Sequence, residues 1–145
     1  ELARTAGVTT GSLYHHFGNK LGLYGFVREE AQRRVLDRME GAAAARADGP
    51  PVEAARAALL VAFDYCAGEG LAGLLAEPVP PGGAPDEVAA FLARLTDGTG
   101  VAQVPVARVL VAAWRAALQA AADGIPVAAA RRALAALHVE LPAAA

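Results

Sequence analysis

Apolar residues recur along most of the chain at intervals of three and four, the spacing that places them on one face of an α-helix. Between residues 51 and 67 this spacing gives one apolar stripe, formed by Val52, Ala55, Leu59, Ala62, Phe63 and Cys66. β-branched residues are sparse and never alternate with polar residues over a useful length, so no segment has the pattern of a strand. The pattern predicts an all-α fold.

Glycine and proline interrupt the helical pattern and mark where its helices end. The expected helices are two short ones at 1–6 and 10–16, a long one from 20 to about 45, and others at about 51–67, 86–96, 104–122 and 126–140, with a short segment at 71–76. The sequence "DGPP" at 48–51 should end the long helix, and "EPVPPGGAP" at 77–85 is the clearest loop. We expect a small head at 1–40, running into the long helix, and a helical body at 41–145.

Composition narrows the classes of function. Of the 145 residues, 55% are hydrophobic and 19% are charged, and the abundance of alanine favours closely packed helices. The net charge of −2 argues against a chain that binds polyanions over its whole surface. Residues 1–38 hold six basic and four acidic residues, so any contact with nucleic acid must come from a local patch.

The single cysteine, Cys66, cannot form an internal disulfide, which is typical of a reducing compartment. No signal peptide is visible, and the most apolar run is interrupted by Arg108, Arg115 and Gln119 at helical spacing, which argues against a membrane span. We therefore expect a cytoplasmic protein. Because Cys66 lies on an apolar stripe, a core position is a better interpretation than a nucleophile.

The run "GVTTGSLYHHFGNK" at 7–20 concentrates hydrogen-bonding groups in an otherwise aliphatic chain. Gly7 supplies a turn conformation that other residues avoid, and the Thr9 hydroxyl is placed to cap the helix that follows. Val8 and Leu13 are apolar and should face inward. Two helices joined by a short turn containing glycine predict a helix-turn-helix.

The second helix of this motif presents small residues at its N-terminus, where a recognition helix meets base edges. These residues are Thr10, Gly11 and Ser12, and Tyr14 and His16 lie further along the same helix with donors suited to bases or phosphates. For the neighbouring His15, the sequence leaves open whether it faces solvent or packs against the long helix.

Lys20 is expected in the first turn of the long helix, after a cap at Asn19. A cation opposes the helix dipole at this end. A bound phosphate would explain a lysine at this position, because the helix N-terminus and the lysine both attract an anion.

The segment "ELARTAGVTTGSLYHHFGNKLGLYGFV" resembles the DNA-binding signature of the TetR family of transcriptional repressors. The matching features are the A-G-V-[ST] turn, the pair Leu13-Tyr14, Phe17, the capped lysine Asn19-Lys20, and Leu23. The resemblance implies an all-α homodimer whose first three helices bind double-stranded DNA and whose larger helical body senses a small molecule. It implies DNA contacts from Thr9, Thr10, Gly11, Ser12, Tyr14, His15, His16 and Lys20.

This sequence departs from the family pattern in two ways. The first family helix and its basic arm are absent from this chain, and "ELARTAG" begins as a helix already under way, so we expect that an upstream segment is missing. Gly22 and Gly25 also weaken the start of the long helix, where alanine or glutamate would serve better.

The body offers a candidate effector pocket and a candidate dimer interface. Aromatic and aliphatic residues of the middle helices suggest a mostly apolar pocket, formed by Leu59, Phe63, Cys66, Phe91, Leu110 and Trp114. The scarcity of charge there favours an uncharged or weakly polar ligand, although an ordinary filled core is an equal alternative. The last two helices are apolar on several sides, which predicts that they pair with their copies in a four-helix bundle across a two-fold axis. The residues expected at this dimer interface are Ala113, Ala117, Ala129, Ala133 and Ala136. The alternative is that these are simply interior helices.

The leading hypothesis is a repressor that a small molecule releases from a palindromic operator. A second hypothesis is a small-molecule-binding helical dimer that does not bind DNA because its first helix is absent. An enzyme is not expected. Ser12 is the only serine and has no nucleophile elbow, and "PPGG" at 80–83 lacks the preceding strand and the lysine of a phosphate-binding P-loop. The adjacent pair His15-His16 is a poor metal site. No cofactor is expected.

Overall fold

A computed structural model of the chain describes residues 20–96 and 106–140, and the two short helices expected at 1–6 and 10–16 lie outside these ranges. Over the described residues the chain forms six α-helices and no strand, as the sequence pattern predicts. The helices are α1 (Lys20–Ala44), α2 (Pro51–Gly68), α3 (Ala72–Ala76), α4 (Glu87–Thr96), α5 (Val106–Ala122) and α6 (Val127–Ala135). None of these helices is long and apolar enough to cross a membrane.

Local sequence accounts for where these helices begin and end. α2 starts at Pro51, because proline tolerates the first turn, where no intrahelical donor is needed. It is closed by a turn in which Gly70 has a φ of 70° and the Leu71 N–H donates to the Cys66 carbonyl at 2.8 Å. α4 is capped by Asp86, whose side chain accepts from the Ala89 N–H at 3.1 Å.

The last helix is shorter than the sequence pattern predicts. It ends at Ala135, so the expectation of a helix over 126–140 is wrong for the final residues. The guanidinium of Arg56 on α2 donates to the Ala135 carbonyl. A further helical turn would need that same carbonyl for the N–H of Val139, and Val139 instead packs, half-buried, against the core.

The core surrounds α2, which packs against α1, α4, α5 and α6. Alanines at 54, 55, 58 and 62 are buried along α2 and let its neighbours approach closely. The largest side chains in the core come from several helices and include Met39, Phe63, Leu92, Trp114 and Leu118. α1 and α2 therefore form the central pair, and the far half of α1 anchors that helix in the body.

Two ion pairs fix the outer helices. Arg131 of α6 makes a bidentate contact with Asp64 of α2, at 2.7 and 3.0 Å. Arg115 of α5 pairs with Asp86 at 2.8 Å, so the residue that caps α4 also ties this helix to α5.

Candidate functional site

A cavity of about 730 Å³ with the shape of a binding site lies between the first half of α1 and the loop that precedes α4. One wall is α1, through Leu21, Tyr24, Gly25, Arg28, Gln32 and Leu36, with Glu29 and Arg33 at its sides. The opposite wall is residues 79–85 together with Glu87. The cavity thus lies where the long helix leaves the body towards the N-terminal segment.

The loop wall is apolar and preformed. Proline at 80, 81 and 85 contributes no N–H group, so this wall offers carbonyl acceptors and hydrocarbon but few donors. Gly82 has a φ of 76°, and the Gly83 N–H closes the turn on the Pro80 carbonyl at 3.0 Å. A ligand would therefore meet a fixed surface.

Arg28 holds this loop to α1. Its side chain is 6% exposed and donates from Nη1 to the Leu74 carbonyl at 2.7 Å and from Nη2 to the Glu77 carbonyl. Its Nε is buried and has no hydrogen-bond partner among the described residues. These two carbonyls lie at the end of α3, so one guanidinium links the first half of α1 to the start of the loop.

Tyr24 adds a second link one turn earlier. Its hydroxyl donates to Glu77 Oε2 at 2.9 Å. The pKa of Tyr24 is raised above its usual value of 10.0, first by burial and then by its hydrogen bond to the Glu77 carboxylate. The phenol therefore stays protonated and remains a donor throughout the physiological pH range.

Gln32 is the other buried polar residue on this face of α1. It is 9% exposed, lines the cavity, and makes no side-chain hydrogen bond within the part of the chain that the structure describes. An amide left without partners when a ligand displaces water from it is costly, so a bound group that pairs with Gln32 would stabilise the complex.

The residues predicted to form an effector pocket do come together, but as part of the core. Leu59, Phe63, Cys66, Phe91, Leu110 and Trp114 are all buried in one continuous cluster. Leu59 and Leu110 line a small pocket of about 20 Å³ between α2, α5 and α6. None of the six lines the large cavity, and their role in effector binding stays a prediction.

The environment of Cys66 is that of an inert thiol. The side chain is fully buried, and this burial raises its pKa from 9.0 to about 12. Hence the thiol is neutral near pH 7, as expected of a small core residue. Among the described residues there is also no group of three or more histidine, cysteine or carboxylate side chains that could hold a metal ion.

The predicted DNA contacts lie almost entirely outside the described residues. These are Thr9, Thr10, Gly11, Ser12, Tyr14, His15 and His16. Lys20 is described: it is the first residue of α1 and is exposed, so its ammonium group is available to a partner at that end of the helix. The mutual arrangement of the set stays a prediction.

The residues predicted at a dimer interface differ in exposure. Ala133 and Ala136 are exposed, Ala113 and Ala129 are half-buried, and Ala117 is buried in the core of its own chain. The solvent-facing apolar surface of α5 is formed by Val109, Ala112 and Ala116, with Val109 50% exposed. We call these three residues the α5 face.

Arg28, Tyr24 and Gln32 were not identified from the sequence, although a signal was present. They recur at intervals of four on the long helix and therefore share one face. That face also carries Leu36, which marks it as half-buried rather than solvated. Polar residues on a buried helix face call for partners, and here Arg28 and Tyr24 find theirs on the loop.

Comparison with known proteins gives one match. Residues 1–25 match the family model described as "Bacterial regulatory proteins, tetR family". No significant match was found among curated proteins or among solved structures. The matched segment contains the predicted helix-turn-helix and extends into the beginning of α1.

Proposed function

We propose that the chain is a regulator of the TetR family, and specifically a repressor that a small-molecule effector releases from a palindromic operator. The observation that carries the proposal is the family match over residues 1–25, the segment that holds the predicted helix-turn-helix. DNA binding and regulation of transcription are the common activity of this family. Repression, the effector and the homodimer are our proposals.

The DNA-binding surface combines the predicted recognition helix with the start of α1. We assign base contacts to Thr10, Gly11 and Ser12, and backbone contacts to Tyr14, His16 and Lys20. The exposure of Lys20 at the N-terminus of α1 supports the phosphate role, since the helix dipole and the ammonium attract the same anion.

A homodimer through α5 and α6 is supported by the surface of the described chain. The three residues of the α5 face are uncharged, and the adjoining helix α6 exposes Ala128 and Ala133, with the exposed Ala136 just after its end. Small apolar residues on two packed helices allow close approach of a second pair. A two-fold axis there would place two recognition helices on successive half-sites.

The effector is proposed to act at the cavity beside α1. A ligand between α1 and the 77–85 loop would change the angle at which α1 leaves the body, and with it the spacing of the two DNA-binding heads. Such coupling requires that the ligand bind the DNA-free conformation more tightly than the DNA-bound one.

The phosphate role of Lys20 has a direct test. We expect Lys20→Ala to weaken binding to every duplex by a similar factor and to lower the slope of log affinity against log salt by about one, because one phosphate contact is lost. Thr10→Ala and Ser12→Ala should instead change which base is preferred. The measurement is a fluorescence-anisotropy titration at several salt concentrations. Equal slopes for the wild type and Lys20→Ala would reject the assignment.

A further inference from the structure

The cavity between α1 and the proline-rich loop has the volume of a small-molecule site. Its volume of about 730 Å³ falls within the range of roughly 300–1,000 Å³ that is typical of ligand pockets. Most of its lining is hydrocarbon, supplied by Leu21 and Leu36 of α1 and by Val79 and the prolines of the loop. A ligand that fills it must therefore be largely apolar.

The charges around the cavity cancel. Arg28 and Arg33 are matched by the carboxylates of Glu29 and Glu87. Arg28 already donates to two carbonyls, and Arg33 pairs with Glu30 at 2.6 Å outside the cavity lining. Neither guanidinium is therefore left to repay the desolvation of an anionic ligand.

One neutral polar group is left for recognition. Gln32 as a whole residue is nine-tenths buried and lines the cavity, and its amide has no hydrogen-bond partner among the described residues. An amide offers two donors and an acceptor, so it can pair with a carbonyl, a hydroxyl or an N–H group. Unsatisfied groups of this kind discriminate strongly for a ligand that completes them.

We propose that this cavity, rather than the aromatic core, binds the effector, and that the effector is an uncharged, largely apolar molecule with a hydrogen-bonding group that pairs with Gln32. Only the role of the ligand as an effector rests on the proposed function. The ligand chemistry follows from the cavity itself.

Two fluorescent probes test the charge of the ligand. N-phenyl-1-naphthylamine is uncharged and carries one N–H group, and 8-anilinonaphthalene-1-sulfonate has the same ring framework with an added anionic group. In a titration of the whole chain, we expect saturable binding of the uncharged probe, at least about tenfold tighter than that of the sulfonate. Equal or tighter binding of the sulfonate, or no saturable binding of the uncharged probe, would overturn the proposal.

A pair of glycines in α1 tests the location. A side chain added at Gly25 or Gly41 meets no atom within 4 Å, but only Gly25 lines the cavity. Both substitutions to leucine should favour the helix, because glycine is the weaker helix former. We expect Gly25→Leu to lower affinity for the uncharged probe by at least tenfold and Gly41→Leu to leave it unchanged. Equal affinities for the two variants would contradict the location.

The role of Gln32 is tested by Gln32→Leu, which keeps the size and removes the amide. We expect about a tenfold loss of affinity for the uncharged probe, because its N–H group then has no acceptor. Unchanged or tighter binding would contradict that role.

DNA binding is measured separately, so the two proposals fail in different ways. If the probe binds as expected but does not change the affinity for DNA, effector-controlled release is contradicted. The assignment of the cavity as a binding site then still stands. Loss of DNA affinity on adding the probe in the wild type and in Gly41→Leu, but not in Gly25→Leu, would support both.

Discussion

Arg28→Met should lower the free energy of unfolding by about 2–4 kcal/mol, because it leaves the Leu74 and Glu77 carbonyls without the donor that satisfies them. Methionine keeps most of the length and the apolar contacts of the side chain. Part of the cost is offset, because the substitution also removes a buried cation whose Nε is unpaired within the described part of the chain. The measurement is urea-induced unfolding followed by circular dichroism.

Arg33→Met is the matched control for this prediction. Arg33 lies on the same helix and borders the same cavity, but its side chain is 66% exposed and its partner Glu30 also pairs with Arg34. We expect a change of less than about 1 kcal/mol, as for other surface ion pairs. Similar losses in the two variants would show that Arg28 does not hold the loop.

The second large effect is expected at the α5 face. Ala116→Arg places a charge at the C-terminal end of this face, and a two-fold axis brings that charge into the interface twice. Burial of an unpaired charge is costly, so we expect the dimer dissociation constant to rise at least about a hundredfold. Sedimentation velocity at micromolar concentration should show a wild-type dimer and a largely monomeric variant.

Ala44→Arg provides the control for the interface. Ala44 is an exposed alanine at the end of α1, where a cation suits the helix dipole. This variant should remain a dimer. A wild-type monomer, or a dimer that Ala116→Arg leaves intact, would contradict an interface through the α5 face.

The helices of the body are largely predictable from the sequence because their signals are local. The periodic stripe on α2, the proline at its first turn and the glycine-proline loop at 77–85 act within a few residues of the elements they define. The end of α6 is different. It depends on Arg56, which is distant in sequence and captures the Ala135 carbonyl only once α2 and α6 are packed together.

The cavity was harder to predict than the helices. Aromatic residues such as Phe63 and Trp114 suggest a pocket by their size and apolar character, yet in the fold they fill the core. Whether a cluster of large side chains encloses space depends on how closely their helices approach, and the alanines of α2 allow a close approach. The space beside α1 instead arises where the proline-rich loop lies opposite the face of α1 that carries Arg28 and Gln32. This tertiary arrangement has only a weak signal in the sequence.

The most direct measurement is selection of bound duplexes from a random pool by the purified protein. We predict enrichment of a palindrome whose half-sites lie about one helical turn apart, roughly 34–36 Å between their centres. Addition of a cavity ligand should reduce recovery of that palindrome. A folded protein that enriches no sequence above the starting pool would contradict the account.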